Sequence, residues 1–312
     1  MLAPMRVRVG FLLRVLGTLA GLGYVATLVD LADVRDAFAR VGVATFVLAT
    51  ALVAANVVVG AARWYVAMRA YGATRIPRAG RLVYLYFVAF FYNTYLPGAV
   101  AGDVGRGVVT RDAFVDEGAA GSLAVVLVER ALGLLALFAL LACGLAITGD
   151  AIEAGSLWWW TALGSVGSLA LVGGIAAARR IAPRLPERLA RHARRLPSIA
   201  DPAMFGASAV LSIGTQACVA VAGWVLLAAL APIGLGASLL VVPLAAATTF
   251  LPITVGGAGA REAVYVALCG RLFGMSEADA LAASLGLWFA HLAVGALGGL
   301  AQLVLPRAWR HA

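Results

Sequence analysis

The longest stretch of the sequence without Asp, Glu, Lys or Arg runs from residue 202 to residue 260 and contains 59 residues. A helix needs about 20 mainly apolar residues to cross a bilayer. Other uncharged stretches have nearly spanning length or more: 43–62, 82–102, 131–149, 154–178 and 280–306. Only 12% of all residues are charged, against about 25% in soluble domains. The sequence therefore predicts an all-α, polytopic helical membrane protein, with residues 1–312 as a single transmembrane domain.

A membrane β-barrel would instead show segments of about 10 residues with alternating hydrophobicity, and none is visible. The formal net charge of +9 comes from arginine alone, since the sequence contains no lysine. A basic chain can indicate nucleic acid, but these arginines cluster in alternate loops, as the positive-inside rule describes. We expect no nucleic-acid partner.

The arginine-rich segments should lie in the cytoplasm. They are the N-terminus, 63–81, 179–195 and the C-terminal tail with Arg307 and Arg310. The acidic segments 30–42 and 149–156 should lie outside. We interpret the apolar run that ends at Val29 as an uncleaved first helix. The prediction is a multi-pass protein of the plasma membrane with both termini in the cytoplasm.

This topology creates a parity problem. Three hydrophobic stretches separate the two basic loops 63–81 and 179–195, so three crossings would put the second loop outside. One stretch must enter and leave on the same face. The segment 82–112 has 31 residues, whereas two crossings need about 40. It contains several helix-breaking residues: Pro97, Gly98, Gly102, Gly105 and Gly107. A re-entrant or broken-helix hairpin is therefore predicted there.

The segment 237–273 predicts a second hairpin of this kind, with helix-breaking residues at Pro252, Gly256, Gly257 and Gly259. The string Tyr95-Leu96-Pro97-x-x-Val100-x-Gly102-x3-Arg106 aligns with Phe250-Leu251-Pro252-x-x-Val255-x-Gly257-x3-Arg261. We infer half-repeats of about 1–150 and 151–312, each with two helices, a hairpin and a helix. Three crossings per half would invert the second half, as in secondary transporters.

Charged residues inside membrane spans are costly and are functional candidates by default. Here they are Asp103, Arg106, Glu129, Arg130, Arg261 and Glu262. Asp103 and Arg106 are three residues apart and can face each other on a helix. The adjacent residues of the other two pairs cannot, so their partners should lie elsewhere. We expect pairing of the first hairpin with the second and with the span 118–148.

Smaller features give further expectations. The segment 185–196 alternates Leu185, Leu189 and Leu196 with arginines, which fits either an interfacial helix on anionic headgroups or a solvated loop. Leu31, Val34, Phe38 and Val41 suggest another surface helix. Cys143, Cys218, Cys269 and His291 stand alone in apolar surroundings and are expected to be core residues. No metal site or cofactor is expected.

The motifs resemble those of the lysylphosphatidylglycerol synthase transmembrane region, a flippase-like family of bacterial and archaeal membrane proteins. The resemblance is carried by Asn93, Leu96-Pro97-Gly98, Gly102-Asp103-x-x-Arg106, Glu129-Arg130, Pro252 and Gly256-Gly257-x-Gly259-x-Arg261-Glu262. The chain departs from the family at Ala101, where a glycine is common. The resemblance implies a protein that moves an aminoacylated phospholipid or a polyprenyl-linked sugar between leaflets.

These motifs also define the predicted substrate-binding site. Gly-rich breaks expose backbone N–H groups and helix N-termini that attract phosphate, and Arg106 and Arg261 could add bidentate donors. Two alternatives stay open: a structural clasp that holds the hairpins, and proton or ion coupling. The predicted site residues are Asn93, Pro97, Gly98, Gly102, Asp103, Arg106, Glu129, Arg130, Pro252, Gly256, Gly257, Gly259, Arg261 and Glu262.

The leading functional hypothesis is a lipid translocator whose partners are membrane lipids with an anionic headgroup or phosphate. Alternatives are a secondary transporter of a small organic anion, or a non-catalytic partner of a lipid-modifying enzyme. An intramembrane enzyme with Asp103 or Glu129 as base is disfavoured, because no metal-ligand cluster, Ser/His or Cys/His set or nucleotide motif is visible. We expect no catalytic residues.

Overall fold

The computed structural model describes residues 19, 20, 23, 27, 30–96, 100–148, 155–194, 196–250 and 257–304. Within these ranges the regular elements are helices, and no strand occurs. Ten α-helices are numbered here in chain order: α1 (Leu31–Ala70), α2 (Ala79–Tyr95), α3 (Ala101–Val109), α4 (Gly118–Thr148), α5 (Gly155–Ile181), α6 (Glu187–Arg194), α7 (Pro202–Ala228), α8 (Leu235–Ala247), α9 (Ala260–Phe273) and α10 (Glu277–Val304).

Helices α1, α4, α5, α7 and α10 are long and apolar enough to cross a membrane. They cover much of the uncharged sequence and confirm the predicted all-α membrane class. Several predicted features lie wholly or mostly outside the described residues: the first helix ending at Val29, the loop 149–156, the tail arginines Arg307 and Arg310, and Pro97, Gly98, Pro252 and Gly256.

The helix α1 extends beyond the uncharged stretch 43–62 at both ends. Residues 31–41 are helical, as their apolar spacing predicts, and they join the rest of α1 at Gly42, whose φ of 71° and ψ of 158° are not helical. Glycine adopts this conformation without the steric cost of a side chain. At its other end α1 continues through Arg63 to Ala70. The predicted basic loop 63–81 is therefore wrong in its first eight residues.

The reason for this longer helix is apolar packing beyond Arg63. Trp64, Ala67 and Met68 are almost completely buried, together with Leu82 and Val125, in one hydrophobic cluster. Burying large side chains such as these stabilises a fold by about 1.5–3 kcal/mol each. The helix continues because its last two turns still have a core to pack against.

Each predicted hairpin segment contains two helices that are shorter than a single membrane span. In the first, α2 has 17 residues and α3 has 9. In the second, α8 has 13 residues, is followed by a 3-10 turn at Thr248–Phe250, and precedes α9 of 14 residues. These lengths fit broken helices, while re-entry and the inverted repeat stay predictions.

Close helix packing in the first hairpin depends on glycine. A Cβ atom added at Gly102 of α3 would lie 1.9 Å from the carbonyl oxygen of Ala89 in α2. A Cβ at Gly298 of α10 would lie 2.1 Å from the carbonyl oxygen of Phe87, also in α2. Both glycines therefore let a neighbouring backbone approach to a distance that any side chain would prevent.

The chain divides into two compact units. The first unit comprises Met1–Val53, Leu140–Ser156 and Cys218–Ala293. The second unit comprises Ala54–Ala139, Leu157–Ala217 and Val294–Ala312. The first hairpin belongs to the second unit and the second hairpin to the first unit. The half-repeats at about 1–150 and 151–312 stay a prediction.

The arginine-rich segment after α5 folds back on its own helix. Ala178, Ala182 and Ala193 form a small buried cluster, and Leu185 and Leu196 pack against it. Two of the three leucines predicted to face a membrane or solvent are thus partly buried by the protein, while Leu189 is exposed. Helix α6 therefore packs Ala193 in a cluster with Ala178 of α5, while Leu189 and the arginines at 188, 191 and 194 are exposed.

The isolated polar residues of the apolar segments are placed partly as predicted. Cys269 is buried, Cys218 is partly buried and Cys143 is exposed, so the predicted burial is wrong for Cys143. The His291 Nδ1 atom lies 2.8 Å from the carbonyl oxygen of Leu287. This contact matches the expected hydrogen-bonded core histidine.

Candidate functional site

A cluster of five charged side chains lies within the second unit. Asp103 and Arg106 come from α3, Glu129 and Arg130 from α4, and Arg63 from α1. All but Arg130 are buried. Isolated buried charges are too costly to persist, so buried charges must be paired. The contacts of these five residues show how this requirement is met.

Glu129 lies at the centre of the cluster between two arginines. Its Oε1 atom accepts hydrogen bonds from Nη2 and Nε of Arg63, at 2.7 and 3.1 Å, and from the hydroxyl of Tyr86 at 3.0 Å. Its Oε2 atom lies 2.7 Å from Nη1 of Arg106. This second contact is an ion pair without hydrogen-bond geometry. One carboxylate therefore neutralises parts of two guanidinium groups.

Arg106 contacts two aromatic rings and is paired with a carboxylate at two of its nitrogens. Its Nε donates to Oδ1 of Asp103 at 2.9 Å, as the three-residue spacing predicts. The guanidinium carbon lies 4.8 Å from the ring centre of Trp64 and 4.7 Å from that of Tyr86. Cation–π contacts of this kind contribute about 0.5–2 kcal/mol each. Arg106, predicted as a phosphate donor, therefore fits the alternative role of a structural clasp.

Arg130 and Asp103 form the accessible edge of the cluster. Nε of Arg130 donates to Oδ2 of Asp103 at 2.6 Å. The Arg130 side chain is 33% exposed, whereas that of Arg106 is 3% exposed. The prediction that Glu129 and Arg130 find partners in the first hairpin is confirmed. A ligand arriving from outside the protein would meet Arg130 before the other arginines.

The cluster carries an excess of one positive charge, because three guanidinium groups face two carboxylates. The unbalanced charge comes from Arg63, which is not among the six charged residues that the sequence placed in membrane spans. A positive excess in a low-dielectric setting favours an anion close by, since Coulomb interactions are stronger there than in water. The cluster is therefore better suited to an anionic ligand than to a cation.

Sequence reasoning missed Arg63 because it ended the uncharged stretch 43–62 and was assigned to the following loop. The apolar run Trp64 to Met68, directly after it, was the available signal that the helix continues. Arg63 also lies 3.3 Å from Oγ1 of Thr215 and 3.5 Å from Oγ of Ser212, both through Nη1. A cationic residue flanked by apolar residues on both sides should be considered for a buried role.

Gly133 makes room for this arginine. A Cβ atom there would lie 3.3 Å from Nη1 of Arg63 and 3.8 Å from Nε2 of Gln216. The same amide nitrogen of Gln216 donates to the carbonyl oxygen of Gly133 at 3.2 Å. Helix α4 therefore presents bare backbone to α1 and α7 at the level of the charges.

Asn93 and Gly102 connect the two helices of the first hairpin. The Gly102 N–H, in the first turn of α3, donates to Oδ1 of Asn93 in α2 at 2.9 Å. The Gly-rich breaks were expected to expose backbone N–H groups and helix N-termini to a phosphate. At Gly102 itself α3 has already begun, and the amide side chain of Asn93 satisfies this N–H, while the role of Gly102 in substrate binding stays a prediction.

In the second hairpin, the backbone N–H at the start of a helix and the two charged side chains are paired with residues of the same hairpin. Oε2 of Glu262 accepts from the N–H of Gly259 at 2.7 Å and thus caps the start of α9. Oε1 accepts from Nε of Arg261 at 2.9 Å, and Nη2 of Arg261 also contacts it. The prediction that these adjacent residues cannot pair is wrong, because the flexible arginine side chain reaches back to its neighbour. Pairing between the two hairpins stays a prediction.

The aligned glycines of the two hairpins differ in conformation. Gly257 and Gly259 have φ values of 80° and 85°, a region that favours glycine. Gly102, which aligns with Gly257, is helical. A Cβ at Gly257 would also lie 2.7 Å from Cγ2 of Thr249. Arg261 is 5.8 Å from the ring centre of Trp288. The repeated sequence strings therefore build a helix start at one site and a turn at the other.

Comparison with protein families matches residues 11–299 to the profile described as the lysylphosphatidylglycerol synthase TM region. This match covers most of the chain and includes all five charges of the cluster and both hairpins. A comparison with curated proteins found no match.

Proposed function

The chain belongs to the family of the lysylphosphatidylglycerol synthase TM region, and we propose on this premise that it moves a lipid between the two leaflets of a membrane. The family is named after a phospholipid product, and the chain is a multi-pass membrane protein. The proposed substrate is a phospholipid or a polyprenyl-linked lipid with an anionic headgroup. The proposed role is transport without chemical conversion of the lipid.

The observation that carries this proposal is the positive excess of the charge cluster, with Arg130 at its accessible edge. In the proposed mechanism the lipid phosphate binds the guanidinium of Arg130, and Asp103 neutralises Arg130 when the site is empty. Arg63, Glu129 and Arg106 hold these two residues in place from the buried side. Charge-assisted bonds between guanidinium and phosphate are short and often bidentate, which suits a headgroup that must be held and released.

The surface of α3 favours a lipid over a small soluble anion. Asp103 and Arg106 lie on the buried side of this helix, while Val104 and Val108 are exposed on the other. A water-soluble anion gains no binding energy from exposed valines. The acyl chains of a lipid gain binding energy, because they pack against the valines while the headgroup contacts Arg130.

A translocation assay tests this role. In liposomes that contain the full-length protein and a fluorescent phosphatidylglycerol, Arg130→Gln should slow exchange between leaflets by about 10- to 100-fold. The estimate assumes the loss of one hydrogen bond to a charged group, which contributes about 1.5–3 kcal/mol. The readout is the rate at which an external reductant bleaches the inner-leaflet probe.

Arg111→Gln is the matched control, because Arg111 is 62% exposed and its contact with Asp112 spans 3.7 Å. This change should leave the rate unaltered. Equal rates in the two variants would refute the role of Arg130. Uptake of a soluble organic anion into the same liposomes, with no lipid exchange, would favour the secondary-transporter alternative.

We further propose that the protein resides in the plasma membrane with both termini in the cytoplasm. In a chain whose native cysteines are replaced by alanine, Arg188→Cys and Val115→Cys should react with an impermeant maleimide only from the cytoplasmic side. Arg35→Cys should react only from the outside. All three positions are exposed. Reaction of Val115→Cys from the outside would mean that the first hairpin crosses the membrane completely.

A further inference from the structure

An apolar groove opens in the first unit where α1 bends at Gly42. It has a volume of about 420 Å³ and lies between the two parts of α1 and helix α10. Its walls include Phe38, Val41, Gly42, Val43, Phe46 and Phe289. The rings of Phe38 and Phe289 are 5.9 Å apart. The non-helical backbone of Gly42 separates the two helical parts of α1 and leaves these side chains around an open space.

A polar pocket of about 380 Å³ is lined by the preceding turns of α1 and by the start of α10. Four carboxylates line it: Asp30, Asp33, Asp36 and Glu277. Two helix N-termini lie here, and each supplies the equivalent of about half a positive charge. Together they offset about one of the four negative charges. The pocket therefore keeps a negative excess that suits a cationic group.

Arg40 lines the polar pocket and lies in the same turn of α1 as Phe38 and Val41 of the groove. Its Nη1 donates to Oδ2 of Asp279 at 3.5 Å, with a closer contact between Nη2 and Oδ1. The Arg40 side chain is nevertheless 54% exposed. At 1.5 Å per residue, it lies about 10 Å along the helix from Asp33. Its exposed edge can meet an anionic group between the carboxylates and the groove.

The charges at the start of α1 that line the pocket thus have an order: the carboxylates of Asp30, Asp33 and Asp36, then the guanidinium of Arg40. The aromatic and aliphatic side chains of the groove follow up to Phe46. A zwitterionic phospholipid has the complementary order, with an ammonium group at its tip, a phosphate next and acyl chains last. We propose that the first unit binds a phospholipid with a primary ammonium headgroup, of the phosphatidylethanolamine type, with one acyl chain in the groove. This site does not rest on the proposed function.

The choice of a primary ammonium follows from hydrogen bonding. A primary ammonium offers three donors to carboxylate oxygens, and such charge-assisted bonds are about twice as strong as neutral ones. A choline headgroup has the same charge but no donor. A glycerol headgroup leaves the lipid with a net negative charge, which the four carboxylates repel. The polar pocket should therefore distinguish these three lipids.

Lipid binding to the full-length protein in detergent, measured by native mass spectrometry, tests the site. The three probes are phosphatidylethanolamine, phosphatidylcholine and phosphatidylglycerol with identical acyl chains. The double variant Asp33→Asn, Asp36→Asn should lose about tenfold in affinity for phosphatidylethanolamine, as expected for the loss of charge-assisted bonds. These two residues are chosen because Asp30 also caps α1 through the N–H of Ala32 at 2.8 Å.

Asp112→Asn is the control, since the Asp112 side chain is 85% exposed and lies in the second unit. It should leave all three affinities unchanged. Phe46→Ala tests the groove separately and should weaken phosphatidylethanolamine and phosphatidylcholine alike, while the preference between them remains. Equal binding of these two lipids to the unaltered protein would overturn the proposal. A double variant that still binds phosphatidylethanolamine more tightly than phosphatidylcholine would also overturn the proposal.

Discussion

Replacing Glu129 with alanine is expected to lower the free energy of unfolding by about 3–5 kcal/mol, the cost of breaking a buried ion pair on one side. The change leaves Arg63 and Arg106 buried without the carboxylate that contacts both of them. It also removes the acceptor for the Tyr86 hydroxyl. We expect a large fall in the thermal midpoint of the detergent-solubilised protein and a low yield of folded material.

Glu187→Ala is the comparison, since Glu187 pairs with Arg194 at 3.5 Å and both side chains are more than half exposed. Pairs of this kind contribute about 0–1 kcal/mol, so the midpoint should hardly move. If Glu129→Ala proved as stable as Glu187→Ala, the cluster would not hold α1, α3 and α4 together. The clasp interpretation of Arg106 would then be wrong.

Replacing Gly102 with alanine is expected to separate α3 from α2. The new Cβ would lie 1.9 Å from the carbonyl oxygen of Ala89 and 2.6 Å from its Cα. These are backbone atoms, so no side-chain rotation relieves the overlap. Overpacking typically costs about 1–3 kcal/mol, and here the shift also lengthens the bond between Gly102 N–H and Asn93. Lower thermal stability and a slower lipid-exchange rate should appear together.

Gly105 provides a control within the same helix. A Cβ at this position meets no atom within 4 Å, and alanine favours a helix over glycine by about 1 kcal/mol. Gly105→Ala should therefore be neutral or slightly stabilising. A Gly102→Ala protein that behaves like Gly105→Ala would show that α2 and α3 do not need their close contact.

The sequence was sufficient to predict those features that depend on local pattern. Long uncharged stretches predicted the spanning helices, because the bilayer core admits few charges. The three-residue spacing of Asp103 and Arg106 predicted their pairing, because helix geometry fixes which side chains meet. The assignment of Glu129 and Arg130 to partners in the first hairpin followed from the rule that buried charges are paired.

Features that depend on tertiary packing could not be read in the same way. Arg63 looked like the start of a loop because it ends an uncharged stretch, and the short apolar run after it shows its importance only in the core around Trp64 and Met68. The acceptor of the Gly102 N–H could not be foreseen, because Asn93 supplies it from another helix. Glu262 pairs with Arg261 because both residues lie at the start of α9, where the side chains have room to turn towards each other. The rule that adjacent residues do not face each other applies to the interior of a helix.

The buried pair of Arg63 and Glu129 has a consequence for biogenesis. The two residues are 66 positions apart, so at about 5–20 residues per second the arginine is synthesised about 3–13 s before its carboxylate. An arginine at the centre of a helix opposes insertion by about 2.5–3.5 kcal/mol on translocon scales. Arg63 lies seven residues before the end of α1, where a long side chain can reach towards the interface. Nascent α1 can therefore enter the bilayer with the Arg63 guanidinium near the headgroups, and the carboxylate that pairs with it arrives with α4.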